Sequence, residues 1–408
     1  MTVTDRVSDG FDERATPRRT LAGATILQIV PKLDEEPAAR SALNIAHVLL
    51  LAGARALVAA EGGTLVNELT TAGGEWIPMV NASTNPLRLR RNARDLEHLI
   101  GHERIDIIHA YDAGAAWSAR TATSQVACWL VTSLPDVPIY SGMRGRYAGA
   151  LAQGDRVIAP SNYSALPIVE RFGLRTEQIT IVPRVIDTAT YDPTAVSTER
   201  ADAQRERWRV APDDRVILVP GRVAPWNGQA LLPEITRALV DSGAREFVFA
   251  VVGEGTTHAK YARDVLKRAQ GLDVDDLIRM TGHCDDMPAA FAAADFVLVP
   301  AIEAPLLGRV VAQAQAMGRP VITSDIGMLA EHVVAPPRMP EDVRTGWVAN
   351  PGDPAEFAQA LGAALAMNAG AYRQMSARAR QFAEYMFSPE SVAEAMRSVY
   401  TSLLARDL

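Results

Sequence analysis

The chain has 408 residues, of which 48% are apolar and 22% charged, a globular balance that excludes fibrous and disordered classes and leaves room for two domains. Lys and Arg number 41 against 48 Asp and Glu, a net charge of −7, which argues against a nucleic-acid partner. The two cysteines, Cys128 and Cys284, form no CxxC pair, so a zinc ribbon, an iron–sulfur cluster and a disulfide framework are not expected, and both thiols should be buried and reduced.

No apolar run approaches the roughly 18 residues of a membrane span. Asp5, Arg6, Asp9, Asp12, Glu13 and Arg14 interrupt any signal-peptide core, so a cytoplasmic protein is expected. Residues 1 to 21 are polar and read as a disordered arm. Order should begin at the β-branched run Thr25 to Val30, a buried parallel strand, followed by a helix over Ala38 to Ala52 stopped by Gly53. Ala54 to Ala60 is a second strand, Gly74 to Val80 a third, and Arg88 to His102 an arginine-rich helix. Strand Ile105 to Ala110, helix Ala113 to Thr123 and strands Ala127 to Thr132 and Arg156 to Ala159 continue the alternation. Ser161 is placed to cap a helix from Tyr163 to Phe172, and Ile179 to Val182 is a further strand. Thr198 to Asp214 reads as a charged connector.

The pattern then restarts. Strands are expected at Arg215 to Val219, Phe247 to Val252, Leu277 to Thr281, Phe296 to Pro300, Pro320 to Thr323 and Gly346 to Val348, with a helix over 308–317. The tail is helical over Ala355 to Met367, Ala371 to Phe387 and Ser391 to Leu404. Repeated strand–helix alternation is the signature of doubly wound α/β sheets, which bind ligands at the carboxyl ends of their strands.

Several of those ends carry glycine turns. Gly221-Arg222 follows the first strand of the second half and leads into Trp226-Asn227-Gly228-Gln229. The glycine lets backbone amides approach an anion, and the arginine can fork onto phosphate oxygens. Gly253-Glu254-Gly255 and Thr281-Gly282-His283 are further turns of this kind, and Glu303 precedes Gly308-Arg309, which opens a helix able to present its first amides to a phosphate.

In this order, these segments resemble the C-terminal half of family 4 glycosyltransferases of the GT-B type. Thr323 to Gly327 and Thr345 to Pro354 extend the resemblance, and weaker matches at strand 25–30, Asp106 to Ala110, Ala159 to Ser161 and Val182 to Asp187 carry it through residues 24–400. It implies an α/β fold of two Rossmann-like doubly wound parallel-sheet domains facing across a cleft. On that pattern an acceptor-side domain covers 22–195 and a nucleotide-sugar-binding domain 205–380, while helices in 381–408 pack back toward the first. Arg222 corresponds to the arginine on the donor diphosphate, and Glu303 approximately to the acidic residue at the donor sugar. Gly308 and Arg309 correspond to the loop and helix start beneath the phosphates, and Gly221 and Gly253 count among the donor-binding residues. Gln313 falls where the family binds ribose hydroxyls, and Thr281-Gly282-His283 would face the base. No metal is expected, since this class works without one; Asp285-Asp286 reads as a solvated loop.

The departures cluster on the donor side. Asn227 stands where a lysine is usual, and a neutral amide supplies no charge to a leaving diphosphate; restoring lysine there should tighten nucleotide binding. The family's two acidic residues stand closer together than Glu303 and Gln313, so Pro305 is an alternative occupant of the first position. Asp34-Glu35-Glu36-Pro37-Ala38-Ala39 replaces a glycine-rich turn, Pro135 and its neighbours replace a histidine, and Arg184-Val185 replaces a pair ending in glycine. His109 ends a strand on the cleft side and is a second catalytic candidate; its alternative is a histidine tied to nearby backbone.

Two functional readings follow. One is a retaining glycosyltransferase that moves a sugar from a nucleoside-diphosphate sugar to a cell-envelope glycan or lipid-linked acceptor. The other is a catalytically silent homologue serving as partner of an active transferase subunit. A Rossmann dehydrogenase is disfavoured because no GxGxxG opens either half. Arg88, Arg90, Arg91 and Arg94, interleaved with Leu87, Leu89 and Leu96, mark a patch for an anionic membrane, placing the protein peripherally on the inner face of the plasma membrane. The alternative is a solvated face pairing with Asp95, Glu97 and Glu103.

Overall fold

The computed structural model describes residues 20–81, 83–135, 147–304 and 308–406. The arm expected over 1–21 therefore lies almost wholly outside the described residues, as do Asp136 and Pro305.

The first half holds β1 (Thr25–Lys32), α1 (Pro37–Leu51), β2 (Arg55–Glu61), α2 (Val66–Thr71), β3 (Glu75–Pro78), α3 (Pro86–Glu103), β4 (Ile107–Ala110), α4 (Ala113–Thr123), β5 (Trp129–Ser133), β6 (Arg156–Ala159), α5 (Asn162–Phe172) and β7 (Ile179–Ile181). These seven strands form one sheet in the order β3-β2-β1-β4-β5-β6-β7. The second half holds α6 (Thr198–Arg207), β8 (Arg215–Pro220), α7 (Leu232–Asp241), β9 (Phe247–Val252), α8 (Ala259–Gly271), β10 (Ile278–Gly282), α9 (Met287–Ala293), β11 (Phe296–Val299), α10 (Arg309–Ala316), β12 (Val321–Ser324) and β13 (Gly346–Ala349). Three helices close the chain: α11 (Pro354–Leu365), α12 (Ala369–Phe387) and α13 (Pro389–Leu404). The second sheet runs β10-β9-β8-β11-β12-β13. The pairs recorded in both sheets are parallel, and each order reverses beside its first strand, the switch point where doubly wound sheets bind ligands.

The chain divides into two compact units. One takes the sequence up to Thr132, Gln153–Arg156 and Ala395 onward; the other takes Ser133–Ala152 and Val157–Glu394. In the second, alternate residues of β8 and β9 enter opposite cores. Ile217, Val219, Phe247, Phe249 and Val251 join one, while Val216, Leu218, Val248 and Ala250 join the other. That two-residue period is what a parallel strand covered on both faces requires.

Local signals explain most helix starts. Asn85 caps α3, Asp112 caps α4, and Ser161 forms a reciprocal capping box with Ser164 at α5. The expected connector at 198–214 is different: α6 occupies its first half, capped by Ser197, and Trp208 at its end is 2% exposed. Its arginines and glutamates are good helix formers, and the density of charge hides the short buried side from an apolar-pattern reading.

Both thiols are buried. Burial, with Asp106 adding, pushes Cys128 up to about 12, and burial also raises Cys284. The thiolate is the reactive form. At pH 8 the native protein should leave both thiols unreacted with an aromatic disulfide reagent over minutes, and denaturation should release both. Prompt native labelling would contradict this packing.

Candidate functional site

The carboxyl ends of β8, β9 and β10 are laced together by their backbones. Gly221 donates its N–H to Val252 O (2.9 Å), Gly253 to Gly282 O (2.8 Å), and Val223 to Glu254 O (2.9 Å). The two turns approach so closely that a Cβ on Gly253 would lie 1.9 Å from Gly221 O. Glycine at 253 is thus a packing requirement of the crossing.

From Gly221 the chain enters a compact loop whose polar side chains turn inward. Asn227 Nδ2 donates to the Arg222 carbonyl at 2.7 Å, and Gln229 Nε2 donates to the same oxygen at 3.0 Å. Gln229 Oε1 accepts from Ala224 N–H at 3.3 Å, and Gln229 is fully buried. Arg222 itself is exposed, and its guanidinium has no hydrogen bond or ion pair among the described residues. Trp226 rests edge-on against His258, with ring centroids 5.1 Å apart.

This loop also holds the segment after β11. Trp226 O accepts from Ile302 N–H (2.9 Å) and Glu303 N–H (3.2 Å). Gly228 sits at φ +73°, where a Cβ would come within 1.8 Å of Pro300 O. The exposed Glu303 carboxylate has no hydrogen bond or ion pair among the described residues.

The start of α10 is clamped. Gly308 donates its N–H to Met328 Sδ at 3.1 Å, and its carbonyl accepts from His332 Nδ1 at 3.3 Å. Burial pushes the His332 pKa down, outweighing the Gly308 carbonyl bond, which favours the protonated ring. The first amide expected to meet a phosphate therefore already has a thioether acceptor. Arg309, exposed and without an ion pair among the described residues, lines a small depression here with Arg184, Met328 and His332. Gln313 hydrogen-bonds the Tyr191 hydroxyl, whose pKa is raised chiefly by burial.

Of the remaining candidates, Thr281 turns its hydroxyl back onto Val251 O (3.0 Å), and the exposed His283 pairs through Nε2 with Asp285 (3.0 Å). Asp286 meets Arg200 at 2.8 Å and caps α9. Among the described residues no group of His, Cys, Asp and Glu could hold a metal ion.

His109 lies in the first unit, fully buried, with Nδ1 2.8 Å from the Tyr400 hydroxyl and its ring stacked on Tyr111 at 4.3 Å. Tyr111 in turn donates to Gln28 Oε1, and Gln28 Nε2 donates to Ala42 O (both 2.8 Å). Expected as a ligand contact or a backbone-tied ring, it takes part in a side-chain network that docks α13, since an imidazole among apolar strands needs polar partners. In the Asp34 to Ala39 turn, Glu35 pairs with Arg40 (2.6 Å) and Asp34 accepts from Thr64 N–H (3.0 Å), so two of its three carboxylates are engaged locally.

The structure thus brings Gly221, Arg222, Asn227, Gly253, Gly282 and Glu303 into one bonded set. Gly308 caps α10, which carries Arg309 and Gln313, and His109 belongs to the other unit. Met328, His332 and Tyr191 were not singled out by sequence, and Trp226 and Gln229 entered it only as members of the motif around Asn227, with no role of their own.

A family model described as glycosyl transferases group 1 matches residues 214–367, and one described as glycosyltransferase family 4 matches residues 38–190. The chain belongs to the glycosyltransferases. Its fold is shared with the crystal structure of a glycosyltransferase from Rickettsia africae, at 24% identity and TM-score 0.74 over 94% of this chain and all of that one. Anabaena HepE, solved with UDP, has TM-score 0.69 at 19% identity over 93% of this chain and 100% of its own. A protein named D-inositol 3-phosphate glycosyltransferase from Geodermatophilus obscurus is 30% identical over 262 residues, 62% of this chain and 53% of that protein. The match to that relative spans about half its length.

For this family member the joint at Gly228 is the most sensitive point of the site. Gly228→Ala combines a left-handed backbone with a backbone clash, and should cost about 2–4 kcal/mol in urea unfolding. A change within about 0.5 kcal/mol would show that the two loops are not so joined.

Proposed function

We propose that the protein transfers a sugar from a nucleoside-diphosphate sugar to an acceptor with retention of configuration. The observation that carries this is Arg222: a guanidinium with no partner among the described residues, at the end of β8, beside the switch point of the second sheet, on a loop bonded to the one carrying Glu303. An arginine left without a protein partner is suited to a diphosphate, whose oxygens match its forked donors. Arg309 and Arg184 at the α10 depression add positive charge. The fold neighbour Anabaena HepE has been solved with UDP and with UDP-glucose, which favours a nucleotide-sugar donor here.

In this reading the bond from the sugar's C1 to the diphosphate breaks as the acceptor oxygen bonds to C1 on the same face. The departing diphosphate takes the acceptor proton, so the chain needs no general base, and positioning with charge stabilisation does the catalytic work. Glu303 orients the sugar, and the second unit's β10 turn at Thr281, Gly282 and His283 meets the base. The acceptor is a cell-envelope glycan or lipid; the name of the relative from Geodermatophilus obscurus makes D-inositol 3-phosphate the first soluble acceptor to try. The silent-homologue reading rests on Asn227, whose amide faces the Arg222 carbonyl where a lysine would carry charge.

Calorimetry with UDP, GDP, ADP and their glucose conjugates tests the donor. One nucleotide should bind, and Arg222→Ala should weaken it about 10- to 100-fold. Unchanged affinity in that variant would remove the assignment. Nucleotide binding without sugar transfer to any acceptor would favour the silent homologue.

Membrane contact is proposed through α3. Arg88, Arg90 and Arg94 are exposed and unpaired among the described residues, and Arg91 reaches Asp95 only at 3.9 Å. Leu89 and Leu96 are buried, which leaves Leu87, 74% exposed, as the apolar component. Each arginine near an anionic leaflet contributes about 1 kcal/mol. Co-sedimentation with phosphatidylserine vesicles should occur at low salt and fall when Arg88, Arg90 and Arg94 become Gln; binding indifferent to that change excludes the contact.

A further inference from the structure

We infer that Asn227 is a positioning residue. With Gln229 it forms a bracket of two amide donors on the Arg222 carbonyl, and this bracket aims the Arg222 guanidinium and steadies the segment bearing Glu303. What Arg222 is aimed at rests on the nucleoside-diphosphate reading above; the bracket itself does not.

The side chain of Arg222 makes no hydrogen bond or ion pair with the described residues, so its direction is set by its own backbone. That backbone leaves Gly221 at φ +128°, a conformation that no side chain at 221 would hold in place. The peptide plane after Arg222 is held at both ends: its N–H, on Val223, donates to Glu254 O, and its carbonyl is bracketed. Asn227 Nδ2 at 2.7 Å and Gln229 Nε2 at 3.0 Å supply donors for both lone pairs of that oxygen. Gln229 then reaches Ala224 N–H with its other end, so one buried side chain bridges both sides of the turn.

Asn227 is also one link in a short chain of fixed atoms. Its neighbour Trp226 offers the carbonyl that both Ile302 and Glu303 amides use, and its other neighbour, Gly228, packs directly against Pro300 O. Rotation of the 226–228 segment would break the bracket and release the Glu303 backbone together. A surface asparagine left over from a lost lysine would have no reason to be held this way. An amide at 227 does for the Arg222 backbone what a longer charged side chain reaching into solvent does not.

The test uses the full chain with Asn227→Ala and the isosteric Asn227→Asp, which keeps the shape but has no donor for a carbonyl. Gln229 is left intact because its burial risks unfolding. Both variants should keep a thermal midpoint within about 3 °C of the parent, since only an exposed-side hydrogen bond is removed. Calorimetry with UDP should show Asn227→Ala weakening affinity about five- to tenfold, with no further weakening once Arg222 is already Ala. Equal effects in both backgrounds, or none in the parent, would overturn the role. Hydrogen exchange without nucleotide supplies an independent readout: the Ile302 and Glu303 amides should exchange at least about fivefold faster in both variants, and unchanged rates would overturn the bracket. If the parent binds no nucleoside diphosphate, the proposed function falls, and the exchange rates still decide the bracket.

Discussion

The carbonyl of Trp226 is the atom on which the site's geometry depends. By accepting from both Ile302 and Glu303 it joins the loop after β8 to the loop after β11. Those strands are neighbours only because the sheet reverses there, with β8 between β9 and β11. A sheet wound in one direction would part the two loops by a strand width. The switch point therefore supplies adjacency, and the Trp226 carbonyl converts adjacency into a fixed relation between the backbones of the loops that carry Arg222 and Glu303. Gly253 and Gly228 permit it by letting backbone lie on backbone where any side chain would hold the loops apart.

The arginines of the second unit fall into two groups with different consequences. Arg215 pairs with Asp295 at 2.8 Å, and Arg380 binds Asp192, Tyr191 O and Ala316 O. These are part of the fold, and truncating either strands a partly buried acceptor. Arg222 and Arg309 have no hydrogen bond or ion pair among the described residues. In a chain with net charge −7, each sets a positive field in its own immediate surroundings. A diphosphate would meet that local field at short range, where the distant negative charge is screened by salt.

The two-sheet architecture was legible because buried parallel strands are short β-branched runs closed by glycine or proline, and nearly all of them appear as such. Helix α6 was not, because its charges mask a single buried edge. The bonded set around Gly221 and Arg222 was legible as a cluster of strand-end turns. The direction of Asn227 was not: residue type shows that an amide replaces a charge, but only the fold shows that the amide turns toward a backbone oxygen five residues back. The Tyr400 contact of His109 was hidden for a related reason. A histidine at a strand's carboxyl end reads as a ligand or backbone contact, and this partner lies 291 positions away. Long-range pairing of polar side chains leaves no trace in local pattern.

Helix α3 shows the same limit with a different outcome. Its leucines and arginines alternate in a way that suggests one mixed surface. A helix instead separates them: Leu89, Ala93, Leu96 and Ile100 follow the inward stripe, while Arg88, Arg90, Arg91 and Arg94 face water. Leu87 is left outside at the first turn, after the Asn85 cap and Pro86. One exposed leucine buries too little apolar area to anchor a domain in a bilayer. Any attachment by this face must then be carried by charge, so it is reversible and falls as the Debye length shortens.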